Sequence, residues 1–335
     1  ATVIAMGLIS LPIMLQRKYD QSLAAGTICA TGTLGQIIPP SIALVILGDV
    51  LSASYQQSQL SIGNFSARTV SVGDLFMGAI VPGLMLVFAY ASYVMIRAFT
   101  SEGFAPAQEA RQIDNKWRVI MTTLLPPFVL ITSVLGSILA GIATPTEAAG
   151  VGALGGLVLA ISKSSLTRKN LTEAVETTTE ITAMVFMILL GSSIFSLVFR
   201  GFGGDDLITS VFTNLPGGVF SAVLLVMIII FLLGFILDFI QITLVVVPIV
   251  GPALLTLGVD PIWLGIMIAI NLQTSFLTPP FGFALFYLRG VAPESLPTEA
   301  IYRGVIPFIL IQLAVLICLA IFPGLVTTLP NAIYG

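Results

Sequence analysis

Two short polar segments of this 335-residue chain carry the side chains best suited to binding chemistry. They run Thr31-Gly-Thr-Leu-Gly-Gln-Ile-Ile-Pro-Pro-Ser41 and Gln273-Thr-Ser-Phe-Leu-Thr-Pro-Pro-Phe-Gly282, and each lies between apolar stretches. A Pro-Pro pair ends a helix, because proline lacks an N–H and pushes the preceding residue out of the helical region. The carbonyl and hydroxyl oxygens around such a break suit a hard cation such as sodium.

The composition places these segments in a membrane. The chain is 57% hydrophobic and 9% charged, whereas a soluble chain carries about 25% charged residues. Its mean hydropathy is +1.07. Histidine is absent, and Cys29 and Cys318 form no metal or redox pattern. We therefore predict an all-α polytopic membrane protein that is not an enzyme, has no nucleic-acid partner and needs no cofactor besides a coupling ion.

The order of apolar segments predicts an inverted repeat. The stretches flanking each Pro-Pro pair are shorter than the roughly 20 residues of a membrane-spanning helix, which favours two re-entrant helical hairpins. The first repeat, 1–118, is predicted to lack its N-terminal part and to hold an arm helix, a hairpin at 19–54 and a broken span at 71–98. Residues 119–242 are predicted to form scaffold and connecting spans. The second repeat, 243–335, is predicted to hold an arm helix, a hairpin at 260–290 and a broken span at 297–322.

The hairpin tips and broken spans supply the predicted site. Each tip is expected near mid-membrane, with Gly32 and Thr274 within about 20 Å of each other. Sodium is predicted at Gly32, Thr33, Thr274 and Thr278, and Asp238 is a further candidate because a carboxylate in an apolar stretch is costly without a role. The full predicted set is Thr31, Gly32, Thr33, Ser41, Gly78 and Pro82 from the first repeat, with Asn271, Gln273, Thr274, Ser275, Thr278, Gly304 and Val305 from the second.

The distribution of basic residues conflicts with these hairpins. Loops 97–118 and 163–169 hold most of the positive charge, and the positive-inside rule assigns them to the cytoplasm. A re-entrant hairpin does not carry the chain across the membrane, whereas the span 71–98 crosses the membrane once. The basic pair Arg17-Lys18 is therefore predicted on the opposite side, against the rule.

Several motifs together resemble the large membrane subunit, the DctM-like permease, of the tripartite ATP-independent periplasmic (TRAP) transporters. They are Gly32-Thr-Leu-Gly with Ile38-Pro-Pro-Ser41, Gly141 with Thr144-Pro-Thr-Glu-Ala148, Leu237-Asp238, and Asn271-Leu with Thr278-Pro-Pro280. The resemblance spans the chain. It implies sodium-driven, elevator-type uptake of an organic acid, typically a carboxylate, with a fold like that of the ion transporter superfamily. It also implies a bacterial inner-membrane location, a small DctQ-like membrane subunit and a DctP-like extracytoplasmic substrate-binding protein.

Two other functions fit parts of the sequence. A stand-alone sodium–carboxylate carrier would use the same polar segments without a soluble partner. An aspartyl intramembrane protease is a remote alternative, because Tyr19-Asp20, Leu47-Gly-Asp49 and Pro252-Ala-Leu254 match fragments of its motifs. Ile46 stands where that protease family needs a glycine. A protease would need two aspartates close enough to share a proton.

Overall fold

The computed structural model describes residues 2–65, 69–101, 103–106 and 116–334, and these residues form helices with no strand among them. The helices before residue 117 are α1 (Thr2–Gln16), α2 (Gln21–Leu34), α3 (Ile42–Ser61), α4 (Val72–Thr100) and α5 (Lys116–Val119). The next are α6 (Leu125–Leu139), α7 (Pro145–Ser162), α8 (Arg168–Gly201), α9 (Gly204–Asn214), α10 (Gly218–Leu233) and α11 (Phe239–Gln241). The last are α12 (Val247–Thr256), α13 (Pro261–Leu277), α14 (Phe283–Val291), α15 (Thr298–Ile321) and α16 (Gly324–Tyr334). Two π-helical segments, Ile120–Leu124 and Ile242–Val246, join α5 to α6 and α11 to α12.

Within these ranges, six helical stretches are long and apolar enough to cross a membrane. The longest are Arg168–Gly201 and Val72–Thr100. Large apolar side chains such as Leu197 and Phe88 are exposed on them. The protein is therefore an all-α polytopic membrane protein, as the composition predicts.

The contacts divide the chain into two compact units. Unit 1 comprises residues 1–108 and 199–335, and unit 2 comprises residues 109–198. The second predicted repeat lies in unit 1, and so does the first, 1–118, except for its last ten residues. The predicted scaffold segment 119–242 does not follow this division, because its last part, from residue 199 onward, belongs to unit 1.

Unit 1 has two ends that its helix termini define. At the first, which we name the arginine end, Asp20 at the start of α2 shares a cavity with Arg97 of α4 and Arg303 of α15. At the second, named the aspartate end, Asp260 at the start of α13 shares a cavity with Tyr55 of α3 and Asp74 of α4. Both α4 and α15 run between these ends.

The two Pro-Pro segments interrupt passages through unit 1 and are not tips of hairpins. α2 starts at the arginine end, whereas α3 finishes at the aspartate end, where Tyr55 lies. α13 starts at the aspartate end, and α14 finishes beside the start of α15, where Arg289 donates to the Leu296 carbonyl. We name the interruptions the first break (35–41) and the second break (278–282); both Pro-Pro peptide bonds are cis. The predicted hairpins at 19–54 and 260–290 are thus wrong, because two short helices in line can together cover the membrane thickness that neither covers alone.

A helical hairpin does occur, but elsewhere in the chain. α10 starts beside Asp260, since Val219 and Phe220 line a cavity with that residue. α12 runs back to the same end, where Gly251 approaches Ser54 of α3. Residues 234–238 join the two arms. The last part of the predicted scaffold segment 119–242 and the predicted arm helix of the second repeat therefore form the two arms of this hairpin.

The predicted broken spans are continuous helices. α4 keeps Pro82 inside its length, and α15 keeps Pro307 inside its length. A proline removes one backbone hydrogen bond, and neighbouring helices can compensate for that loss in a membrane.

The repeat predicted from the sequence is present with an offset of 240 positions, which pairs Pro12 with Pro252 and Asp20 with Asp260. Helix contacts follow the same correspondence. α2 packs on α15 as α13 packs on α4, and α14 packs on α1 as α3 packs on α12. Asp20 and Asp260 both cap their helices, accepting from Leu23 N and Trp263 N at 2.8 Å. Because α2 and α13 start at opposite ends, the repeats are inverted.

Unit 2 is described from residue 116 to residue 198. α6 and α7 pack together, with Gly155 against Leu130. Thr144 and Glu147 form a capping box at the start of α7, in which Thr144 N donates to Glu147 Oε2 at 2.8 Å. The apolar faces of these helices are almost entirely exposed, which suits lipid or another membrane subunit.

Candidate functional site

Thr33 and Gln273 form the centre of a buried polar cluster in unit 1. Gln273 Nε2 donates to Thr33 Oγ1 at 3.4 Å, and Thr33 Oγ1 donates to the Ala30 carbonyl at 2.8 Å. Thr33 is 4% exposed and Gln273 is 0% exposed. The contact brings the two breaks together and confirms the expected proximity of Gly32 and Thr274, which are their direct neighbours.

The first break is held by side chains that bond to its own backbone. Ser41 Oγ donates to the Gln36 carbonyl at 2.7 Å and accepts from Leu44 N, which makes Ser41 the N-cap of α3. Thr31 Oγ1 donates to the Thr27 carbonyl at 2.7 Å. Gly32 has a packing role, because a Cβ there would lie 2.4 Å from Val3 of α1.

The end of α13, directly before the second break, is deeply buried. Asn271, Thr274 and Ser275 are each at most 4% exposed. Thr274 and Thr278 donate to carbonyls of their own helix, those of Ile270 and Thr274, at 2.8 and 2.7 Å. A hydroxyl that donates in this way keeps lone pairs available to a cation.

The hairpin of α10 and α12 brings its tip to the second break. Asn271 Nδ2 donates to the Met227 carbonyl, and Ser275 Oγ donates to the Phe231 carbonyl, both at 2.7 Å. Gly234 allows the close approach, since a Cβ there would lie 2.6 Å from Ser275 Oγ. Asn271 and Ser275 therefore anchor the hairpin. This anchoring role competes with their predicted role as ligands of an ion or substrate.

Asp238 lies at that tip and is only partly buried. Its Oδ1 accepts from Gln241 N at 2.8 Å, and its own N donates to Gln241 Oε1 at 3.1 Å. One carboxylate oxygen thus caps α11. The tip lies beside the second break, where the Phe235 ring centroid is 6.2 Å from that of Phe281, and α11 contacts α3. Asp238 therefore remains a candidate by its position at the tip.

Three buried side-chain oxygens in this region have no hydrogen-bond partner among the described residues: Gln36 Oε1, Thr243 Oγ1 and Gln273 Oε1. Buried polar atoms are nearly always satisfied, so unpaired oxygens indicate a bound ion or water. Sequence reasoning missed Gln36 and Thr243. Gln36 lies within the first quoted segment, but Thr243 is a single polar residue in an apolar run with no local signal.

Two of the other predicted glycines lie at helix crossings away from the breaks. Gly78 packs against Ile262 near the start of α13, and Gly304 packs against Ser22 and Gly26 near the start of α2. Gly26 precedes Thr33 by seven residues, or about 10 Å of helix. Val305 directly follows Gly304 on α15. Gly78, Gly304 and Val305 therefore support helix packing. Pro82 differs, because a Cβ on the next residue, Gly83, would lie 3.5 Å from Ile38 of the first break.

The chemistry available around Thr33 and Gln273 is that of neutral oxygens. No group of three or more Cys, Asp or Glu side chains that could hold a metal ion occurs within the described ranges. Asp20 caps α2 at the arginine end, whereas Asp49 lies on the exposed face of α3 beyond the first break. The paired aspartates that a protease needs are thus not formed. Carbonyl, amide and hydroxyl oxygens without a fixed charge suit a monovalent hard cation.

Comparison with known proteins agrees with the family resemblance that the sequence motifs indicate. A family model described as "Tripartite ATP-independent periplasmic transporter, DctM component" matches residues 1–325. A C4-dicarboxylate TRAP transporter large permease protein from Pseudomonas aeruginosa is 31% identical over 336 residues, covering 99% of this chain and 73% of the relative. A sialic acid TRAP transporter large permease protein from Vibrio cholerae is 28% identical, covering 98% of this chain and 72% of its own length. An isethionate TRAP transporter permease protein, DctMQ, from Oleidesulfovibrio alaskensis is 29% identical, covering 97% of this chain and 48% of its own length.

Proposed function

The chain belongs to the DctM component family of the tripartite ATP-independent periplasmic transporters, and from this membership we propose that it couples sodium entry to uptake of an organic acid. It is a multi-pass membrane permease subunit and not an enzyme, since its relatives are permease subunits. The ion, the substrate class and the partner proteins are the parts that we propose.

The observation that carries sodium coupling is the cluster around Thr33 and Gln273. The hydroxyls at the two breaks lie near buried oxygens that have no hydrogen-bond partner in the described ranges, and Gln273 Oε1 is one of them. A sodium ion would satisfy such oxygens without a fixed protein charge. We assign one ion to the first break, with Gly32 and Thr33, and one to the second break, with Thr274, Thr278 and the Asp238 carboxylate.

Two helix termini favour an anionic substrate at the same place. α3 begins directly after the first break and α14 begins directly after the second. A helix N-terminus carries a partial positive charge and free N–H groups, which suit a carboxylate or sulfonate. The names of the three relatives cite C4-dicarboxylate, sialic acid and isethionate, all acids. We propose an organic acid of this class as the substrate.

The proposed partners are a small DctQ-like membrane subunit and a DctP-like extracytoplasmic binding protein. The exposed apolar faces of α6 and α7 offer a surface for a membrane partner. The breaks hold no arginine, and high-affinity capture of a carboxylate usually requires a bidentate arginine. A soluble binding protein would supply that affinity.

The charges at the ends of unit 1 support one orientation. Arg17, Lys18, Arg97, Arg289 and Arg303 lie at or beside the arginine end. Asp74, Asp205 and Asp260 lie at the aspartate end, where Arg200 pairs with Asp205 at 3.6 Å. The positive-inside rule then places the arginine end in the cytoplasm of a bacterial inner membrane. The conflict over Arg17-Lys18 disappears, because the passage of α2 and α3 adds the crossing that a hairpin would lack.

We further propose elevator-type transport in which unit 1 carries the substrate and unit 2 belongs to the scaffold. The support is that both breaks and the hairpin tip fall within unit 1.

The test is uptake of labelled organic acids by the complete membrane complex in proteoliposomes. Uptake should require an inward sodium gradient and the candidate binding protein. Equal rates at low substrate concentration with and without the binding protein would favour the stand-alone carrier, and uptake indifferent to sodium would reject the coupling ion.

A further inference from the structure

The arginine end of unit 1 contains a cavity that transport chemistry does not use. Its volume is about 490 Å³, and its polar lining groups come from Asp20, Ser22, Tyr93, Arg97 and Arg303. It lies at the start of α2, roughly 20 Å of helix away from Thr33. The cavity is therefore separate from the breaks.

Arg97 is held in a fixed position at the rim. Its guanidinium carbon lies 4.5 Å from the centroid of the Phe104 ring. The Phe104 carbonyl accepts from Asp20 N at 3.1 Å, which ties this ring to the start of α2. A guanidinium that stacks through its face keeps its in-plane N–H donors for a ligand.

The other two charged groups of the lining also keep binding capacity. Arg303 Nη2 pairs with Glu299 Oε1 at 2.6 Å, but both side chains are 71% exposed and the pair engages one N–H of five. Asp20 uses Oδ1 to cap α2, and the cap does not require its second oxygen. The cavity thus presents two guanidinium groups and one carboxylate.

The apolar surface beside the cavity indicates a membrane ligand. Three apolar residues lie within two positions of Arg97 on α4 and are largely exposed: Met95 at 59%, Ile96 at 60% and Phe99 at 85%. Charged lining at a helix end next to exposed apolar side chains corresponds to the level where lipid headgroups meet acyl chains.

We propose that this cavity binds the phosphoethanolamine headgroup of a membrane phospholipid. Arg97 and Arg303 hold the phosphate, and Asp20 accepts hydrogen bonds from the ammonium group. The charges of Arg97, Arg303, Asp20 and the neighbouring Glu299 sum to zero, which favours a zwitterionic headgroup over an anionic one. A choline headgroup has no N–H to donate to Asp20, so ethanolamine is preferred.

The cavity at the aspartate end differs in its charged residues. It contains the equivalent residue Asp260 together with Asp74, and its charged lining groups are both carboxylates. Its described lining has no basic side chain to pair with a phosphate. Asp260 is therefore a matched control for Asp20, with the same capping role outside the proposed site.

The experiment is native mass spectrometry of the purified membrane protein titrated with phosphatidylethanolamine, phosphatidylglycerol and phosphatidylcholine of identical acyl chains. The wild-type protein should bind phosphatidylethanolamine about tenfold more tightly than phosphatidylcholine, the effect of roughly one well-formed charged hydrogen bond. Asp20→Asn should abolish that preference while keeping the helix cap, since asparagine caps as well as aspartate. Arg97→Gln should weaken phosphatidylethanolamine and phosphatidylglycerol alike.

Asp260→Asn and Lys18→Gln should leave the lipid ranking unchanged. Equal binding of the three lipids by the wild-type protein would overturn the proposal, as would an unchanged ranking in Asp20→Asn. Tighter binding of phosphatidylglycerol than of phosphatidylethanolamine would replace it with a simple anion site. Displacement of the lipid by soluble phosphoethanolamine at equal concentration would reject a membrane ligand. None of these readouts depends on transport, so they stand apart from the tests of sodium coupling.

Discussion

Thr33 and Gln273 hydrogen-bond to each other at 3.4 Å, and each occupies the position of the other in the repeat, 240 residues away. A contact between equivalent positions occurs only on the axis that relates the two copies. The axis of the inverted repeat therefore passes between these two side chains. Any ion or substrate bound beside them is approached by both breaks, which gives the two halves of the chain a shared site.

Removing the Thr33 hydroxyl tests this shared site. Thr33→Val keeps the shape but leaves the Gln273 amide without its partner and deletes one candidate sodium ligand. We expect the half-saturating sodium concentration for uptake to rise by at least about fivefold, or roughly 1 kcal/mol. Thr278→Val should act in the same direction at the second break.

The matched control is Thr27→Val on the same helix. The buried Thr27 hydroxyl has no hydrogen-bond partner within the described part of the chain, and it lies about 9 Å of helix before Thr33. Its sodium dependence should match that of the wild type. If both break variants also match the wild type, these hydroxyls do not bind the ion.

The Asp238 carboxylate should contribute charge to the second ion. Asp238→Asn keeps the cap on α11, because asparagine also accepts from the Gln241 N–H. We expect normal amounts of folded protein and a sodium requirement raised by several-fold. Asp260→Asn makes the same change in a helix cap away from the breaks, and an equal effect of both variants would assign the loss to capping.

The direction of α2 and α3 can be read from labelling of single cysteines. In a background with Cys29 and Cys318 replaced by alanine, Gln21→Cys and Gln56→Cys should react with a membrane-impermeant maleimide from opposite sides. Both positions are exposed in the structure. Labelling from one side only would restore the re-entrant hairpin at 19–54.

The same background tests the hairpin of α10 and α12. Val219→Cys and Thr256→Cys should react from a single side, the one that labels Gln56→Cys. Reaction of the two from opposite sides would show that residues 218–256 cross the membrane.

Glycine at the crossing of α2 and α15 should be essential for packing. A Cβ on Gly26 would lie 2.0 Å from the Gly304 carbonyl oxygen, and a Cβ on Gly304 would lie 2.0 Å from the Ser22 carbonyl oxygen. Small residues allow such close helix approach in membranes. Gly26→Ala should lower the free energy of unfolding by about 1–3 kcal/mol or more, measured as a lower melting temperature in detergent. Gly290→Ala is the control, because no atom of the residues that the structure describes would meet a Cβ there within 4 Å.

The sequence by itself determined the membrane class, the presence of a repeat and the residues of its centre. Composition alone excludes a water-solvated surface, and the Pro-Pro pairs stop helices by local sterics that no tertiary context changes. Thr33 and Gln273 could thus be selected without coordinates. The family resemblance rested on the same local motifs.

Only the tertiary structure decided the path of the chain through the membrane. A short apolar helix beside a break can turn back or continue, and both choices bury the same residues and satisfy the same hydrogen bonds within each helix. The choice depends on long-range packing, such as that of Gly26 on Gly304 and of Gly251 on Ser54. Those contacts join residues far apart in sequence, so no local pattern reports them. For the same reason, the structure located the hairpin tip at Asp238 and moved Gly78 and Gly304 from the predicted site to the helix crossings.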